Sequence, residues 1–180
     1  MAGVVPPVRP GEHPAGPDRS PYRVKMNDLV QSFALTKERG DILQGLINYR
    51  AALYGLGITV GFQWVDGSFV ENIEDLEARP PNDVDVVSYV ELPTGQTQMS
   101  IFPHLKPLQD RKQSKATYKV DGFVFVVPQL DIRRVCYWYS LFSHRRNGLW
   151  KGFAEVLLDP SDDQTAQDEL NKIAASGFSK

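Results

Sequence analysis

Asp83 and Asp85 stand two residues apart in Pro80-Pro-Asn-Asp-Val-Asp-Val-Val87, inside what otherwise reads as an apolar strand. Strand residues at i and i+2 share a face, so the two carboxylates are expected to converge on one spot. Like charges at such spacing repel unless a cation lies between them. A hard divalent ion meets that requirement, and Mg²⁺ in particular favours one or two carboxylates completed by water and phosphate oxygens. Upstream, Trp64-Val-Asp-Gly-Ser-Phe69 reads as a strand closing in a Gly67-Ser68 turn that opens onto a short helix. Such a turn offers backbone N–H groups and one hydroxyl to a phosphate.

The combination resembles the nucleotidyltransferase superfamily typified by polymerase β. That pattern is a hydrophobic residue, Gly and Gly or Ser, a spacer, then Asp-hydrophobic-(Asp/Glu)-hydrophobic. Here it stands as Val65-Asp66-Gly67-Ser68 and Asp83-Val84-Asp85-Val86, with a spacer of 14 residues from Phe69 to Asn82. Gly61-Phe-Gln-Trp-Val-Asp-Gly-Ser-Phe69 and Leu149-Trp-Lys-Gly-Phe153 are similar to segments of small bacterial proteins of that superfamily, over residues 36 to 158. The resemblance implies a third carboxylate on a later strand, for which Asp121 is the candidate. It implies Mg²⁺, or Mn²⁺, held by Asp83, Asp85 and Asp121, and an NTP, with ATP as one such donor, whose terminal phosphates meet Gly67 and Ser68. The activity it implies is transfer of a nucleoside monophosphate to a hydroxyl of a protein, an RNA or a small molecule. The size suits minimal nucleotidyltransferases of toxin–antitoxin and phage-defence systems, with a partner protein as acceptor or companion. The rival expectation is a nucleotidyltransferase-fold protein that binds nucleotide or a partner without catalysis.

Charge is segregated although the formal total is −2. No acid falls between Ile132 and Ala154, whereas Arg133, Arg134, His144, Arg145, Arg146 and Lys151 do. Lys151, Arg145 and Arg146 are therefore candidate nucleotide-phosphate contacts, with Lys151 first because its strand fixes its direction; the alternative is that Lys151 only snorkels. A second basic run holds Lys106, Arg111, Lys112, Lys115 and Lys119. A purely RNA-binding role is disfavoured by an isoelectric point of about 5.9 and by the lack of the interleaved exposed aromatics that single-strand binders use.

His13, His104 and His144 lack metal-ligand spacing, and the single cysteine, Cys136, has no partner for zinc or a disulfide. Neither a dinucleotide fingerprint, a P-loop nor a nucleophile elbow is present. Trp64, Trp138 and Trp150 are expected in the core or in a pocket wall. No apolar run suits a membrane helix, and a cytoplasmic protein is expected.

The elements that must position these residues alternate between strand and helix. A mixed α/β sheet with helices packed on it follows, in one domain over 22–180. Residues 1–21, with six prolines and three glycines, are expected to form a disordered or loosely draped tail. Helices are predicted over 37–54 with Thr36 as N-cap, 69–76, 133–143 and 162–175. Strands are predicted over 58–65, 84–91, 116–127 and 149–158, and a loop with a helical turn or two over 96–115.

Overall fold

The computed structural model describes residues 3–179 of the chain. Five strands form one mixed sheet: β1 (Tyr22–Val24), β2 (Gly61–Asp66), β3 (Val84–Val90), β4 (Val120–Val126) and β5 (Ala154–Leu157), in the order β1-β5-β2-β3-β4. β5 runs antiparallel to β2 and β2 antiparallel to β3, while β1–β5 and β3–β4 are parallel. The architecture is the mixed α/β sheet expected from the alternating pattern.

Strand alternation divides the residues between two faces. Val65, Val84, Val86, Val120 and Val124 point to the larger core, built against α1 (Met26–Phe33), α2 (Lys37–Gly55), α4 (Gln98–Gln109) and α7 (Pro160–Ser176). Trp64, Val87, Tyr89 and Phe123 point the other way, toward α6 (Ile132–Phe142) and Phe153. The second layer is aromatic: Trp64 lies 4.9 Å from Tyr89 and 5.3 Å from Phe153 between ring centroids, and Trp138 of α6 lies 4.4 Å from Phe123. Edge-to-face contacts of this kind add to the stability given by area burial.

Helix α2 forms where expected. The Thr36 hydroxyl accepts the Arg39 N–H at 3.3 Å, and Ile42, Leu46, Tyr49 and Leu53 are buried along its inner stripe. In its middle, Arg50 is fully buried, its guanidinium donating to Asp163 at 2.7 Å and to Gln63 at 2.8 Å. That network joins α2, α7 and β2, and buried charge is tolerated because it is paired and hydrogen-bonded.

Several boundaries differ from the sequence-based expectation. Residues 96–115 are mostly helical: α4 is followed by α5 (Arg111–Tyr118), so β4 begins at Val120 rather than at 116. Prolines argued for a loop there, but Thr97 caps α4 and Ile101, Leu105 and Leu108 supply a buried stripe. The carbonyls freed by Pro103 and Pro107 belong to Met99 and Pro103, both exposed residues, so the breaks fall on the solvent side of the helix. The first strand begins at Gly61, the last is only Ala154–Leu157, and α1 and β1 were not anticipated.

The proline-rich segment lies against the domain. The Gly152 N–H donates to the Val5 carbonyl at 2.7 Å, the Tyr22 hydroxyl to the Pro6 carbonyl at 3.0 Å, and Val4 bridges to Glu71. A segment without an apolar stripe can still dock when the domain donates hydrogen bonds to its backbone carbonyls. No helix among the described residues is long and apolar enough to cross a membrane.

Candidate active site

Register brings three aspartates into one row. Asp66 is opposite Asp85 across the β2–β3 pair, and Asp85 is opposite Asp121 across β3–β4. Directly paired residues project to the same side, here the α6 side, and all three lie where β2 ends and β3 and β4 begin. Asp83 precedes β3 by one residue, carried there by the extended Pro80-Pro81 approach. The row forms the floor of a cleft of about 800 Å³ that also includes Gly67, Ser68, Lys115, Phe123, Tyr137 and Lys151 in its walls. Asp83, Asp85, Asp121, Gly67, Ser68, Arg145, Arg146 and Lys151, all singled out from sequence, line this one cleft.

Gly67 is shaped for close approach. Its φ is +89°, in the left-handed region, and a Cβ there would collide with the Asp85 carboxylate. Gly122, beside Asp121, also marks a close approach: a Cβ would press on the Tyr49 hydroxyl and the Leu108 carbonyl. After Gly67 the chain makes a 3₁₀ turn over Ser68–Val70, and α3 (Ile73–Glu77) begins only later. The expected helix N-terminus at the Gly-Ser turn is therefore absent; what the turn offers is local N–H groups and the Ser68 hydroxyl. Arg39, buried in α2, fixes this segment by donating to the carbonyls of Phe69 and Glu71 and to Glu74, at 2.6–2.8 Å. Nothing in the sequence marked Arg39, because a helical arginine reads as solvated until its neighbours are known.

The charged groups fall into two sets. Lys151 is buried, and its amine lies 2.9 Å from Asp66 and 2.9 Å from Glu71 and donates to the Gly67 carbonyl at 3.2 Å. Arg145 donates to Glu71 at 2.7 Å and to Glu77 at 2.8 Å. Lys151 and Arg145 thus stand in the cleft as expected, but their charge is already matched by carboxylates. Arg146 is exposed and has no acidic partner among the described residues. Arg133 and Arg134 lie outside the cleft lining, so the basic segment faces the carboxylates only through its second half.

On the other side, Lys115 reaches Asp83 at 2.6 Å and Asp121 at 2.9 Å, and Arg111 donates to Asp121 at 2.8 Å. Both come from α5, the helix read as loop from sequence. Asp85 makes no hydrogen bond or ion pair among the described residues, and one buried oxygen of Asp121, Oδ1, has no hydrogen-bond partner. Burial, reinforced by the charges of Asp83 and Asp121, pushes the Asp85 carboxyl up to about 6. Burial likewise raises Asp66 to about 7, against the pull of Lys151. Asp66 was not singled out from sequence; the Trp64–Asp66 alternation with the register of β3 is the signal that finds it.

No group of three or more His, Cys, Asp or Glu side chains is drawn to metal-ligand spacing among the described residues. The donor set nonetheless fits a hard cation: Asp83, Asp85 and Asp121 offer only carboxylate oxygens, one of them buried and orphaned, another group with no cationic partner.

The chain belongs to a family described as a family of unknown function (DUF6932), whose sequence profile matches residues 1–157. The match takes in the whole cleft floor and both basic stretches. No curated protein and no solved structure matches the chain.

Proposed function

We propose that the protein is a Mg²⁺- or Mn²⁺-dependent nucleotidyltransferase, moving a nucleoside monophosphate from an NTP such as ATP to a hydroxyl of a protein, RNA or small-molecule acceptor. One observation carries this reading. Asp85 sits unpaired in a row of aspartates, directly against a Gly67 whose conformation and lack of a side chain make that contact sterically feasible. Asp83 and Asp85 would hold the cation, with Asp121 completing a second position. When bound, it would neutralise phosphate charge and make the acceptor hydroxyl more acidic. The Gly67-Ser68 turn would hold the terminal phosphates through its N–H groups and hydroxyl. The acceptor hydroxyl would then give up its proton, to a cleft carboxylate or solvent, and its oxygen would bond to the α-phosphorus as the bond to the pyrophosphate oxygen breaks, in line. Lys115 and Arg111, both partly or largely exposed, would exchange their carboxylates for phosphate oxygens, supplying cations that Lys151 and Arg145 do not leave free.

A second reading rests on the same two cations. With Lys115 bridging Asp83 and Asp121, two of the three carboxylates are compensated without metal, which suits a nucleotidyltransferase-fold protein that binds nucleotide or a partner protein and does no chemistry. Incubating purified protein with each α-labelled NTP, Mg²⁺ and a cell extract as acceptor source separates the two. Label transferred to any acceptor, and lost in Asp85→Asn, supports the enzyme. Nucleotide binding with no transfer under any NTP supports the second reading. A toxin–antitoxin or phage-defence setting, and a partner protein, fit the chain's size and await the acceptor's identity.

A further inference from the structure

The outer face of α6 carries a stripe that the cleft chemistry does not use. Arg133, Tyr137 and Leu141 follow one another at i, i+4 and i+8, and His144 continues the line just past the helix end. Residues at that spacing share a face, and the stripe runs ~16 Å from Arg133 to His144 at ~1.5 Å per residue. Tyr137 is 60% exposed and Leu141 48%. Trp150, 58% exposed, bridges to His144 through the backbone and sets its ring 4.6 Å from the imidazole, edge to face. The His144 Nδ1 lies 3.0 Å from the Ser140 carbonyl oxygen, so the ring under Trp150 is fixed in place. Exposed apolar side chains grouped on one face and rimmed by charged ones mark an interaction surface, whereas isolated ones do not.

Charge on this face is of one sign. Arg133, Arg134 and Arg146 pair with no acid among the described residues, and Arg134 stacks 5.7 Å over Phe125. Asp131 is spent capping the helix, accepting the Arg133 N–H at 2.9 Å, while Glu71 and Glu77 are held by Arg145. The linear sequence does not tell which aromatics of this basic run are exposed; the helix buries Phe142 and turns Tyr137 outward, with Trp150 exposed beyond it.

We infer that the α6 face, from Arg133 through Tyr137 and Leu141 to Trp150, binds a single-stranded polynucleotide. Unpaired guanidinium groups match a phosphate backbone, and exposed rings match unstacked bases, the two components of sequence-tolerant single-strand binding. Tyr137, Leu141, His144 and Arg146 also line the carboxylate cleft, so a strand lying on this face runs directly into it. Binding here requires neither nucleotide nor metal, and it stands or falls apart from nucleotidyl transfer.

Fluorescence anisotropy of the full chain with end-labelled 20-nucleotide single-stranded RNA, the same strand as DNA, and the corresponding duplex, at low salt and without metal, tests this. The single strands should bind and the duplex should bind more weakly; the RNA and DNA arms identify the preferred sugar, and either supports the inference. Tyr137→Ala and Trp150→Ala should each weaken single-strand binding by about 5- to 100-fold with an unchanged salt slope. Arg133→Ala should lower the slope of log K against log salt by about 0.7. No single-strand binding, a duplex bound as tightly as the single strand, or both aromatic variants binding like wild type would overturn it. Equal displacement by poly-glutamate would overturn it in favour of an acidic protein partner.

Discussion

The two charged ends of the cleft use the same residue types to opposite effect. Around Glu71, the cations Lys151 and Arg145 are 3% and 13% exposed at the side chain, and each meets two carboxylates. Around Asp121, the cations Lys115 and Arg111 are 34% and 73% exposed, and Asp85 beside them forms no ion pair among the described residues. Buried, mutually paired charges are locked because removing one strands the other without solvent. Exposed ones exchange partners at little cost. The first group therefore builds the cleft, and the second is where a ligand can enter.

The largest expected effect breaks the locked end. Lys151→Met leaves Asp66 and Glu71 buried with their shared cation gone and should cost about 3–5 kcal/mol of stability, read from denaturant unfolding. Read from sequence as a phosphate contact or a snorkelling side chain, Lys151 is instead buried between Asp66 and Glu71. A loss below about 1 kcal/mol would show that Lys151 is as exchangeable as Lys115.

Next comes the unpaired end, with the opposite sign. The Asp85 carboxyl rises from 3.8 to about 6 on folding. Below pH 3.8 it is neutral in both states and costs nothing. As pH rises from about 4 to 6, the unfolded chain ionises while the folded one retains its proton, so stability falls, and the full penalty is present above about 6. At about 1.4 kcal/mol per unit the penalty reaches about 3 kcal/mol, an upper figure. Asp85→Asn should therefore melt higher than wild type at pH 8, with the gap closing toward pH 4. A constant gap would mean the gain has another origin.

Gly67 joins the two ends, receiving the Lys151 amine at its carbonyl while touching Asp85 at its Cα. Gly67→Ala should cost at least about 1–2 kcal/mol for the left-handed backbone, and more for the collision with Asp85. Combined with Asp85→Gly, which vacates the space, only the backbone part should persist.

Much of this layout was legible beforehand because strand periodicity is a strong local rule. Asp83 and Asp85 line one cleft as the i, i+2 spacing suggested, Asp121, which the resemblance implied, lines it too, and Thr36 caps α2 as read. Partnership was not legible. Whether Lys151 or Lys115 is the locked cation depends on Glu71, Asp66 and α5, which meet the site only through tertiary packing. The same holds for α5 itself, where prolines pointed to a loop and a buried stripe of Ile101, Leu105 and Leu108 made α4 lead into it. Docking of residues 3–21 depends on the backbone of Gly152, which no local pattern reveals.

The smallest stability effect should come from Lys115→Met. A part-exposed pair is worth about 0–1 kcal/mol, and Arg111 still pairs with the buried Asp121 once Lys115 is gone, which keeps the loss small. The same variant should enlarge the rise in melting temperature on adding Mg²⁺ at fixed concentration, because the competing ammonium is gone. No change in that rise would mean that Lys115 does not compete for the site.

Electron paramagnetic resonance of Mn²⁺ titrated into the protein, with and without a non-hydrolysable NTP, tests the central claim most directly. Wild type should remove Mn²⁺ from the free signal, more tightly with nucleotide present, and Asp85→Asn should abolish that uptake while remaining folded. Uptake of Mn²⁺ by Asp85→Asn equal to wild type, or no uptake by wild type with nucleotide at any concentration, would contradict a metal–nucleotide site at Asp83, Asp85 and Asp121.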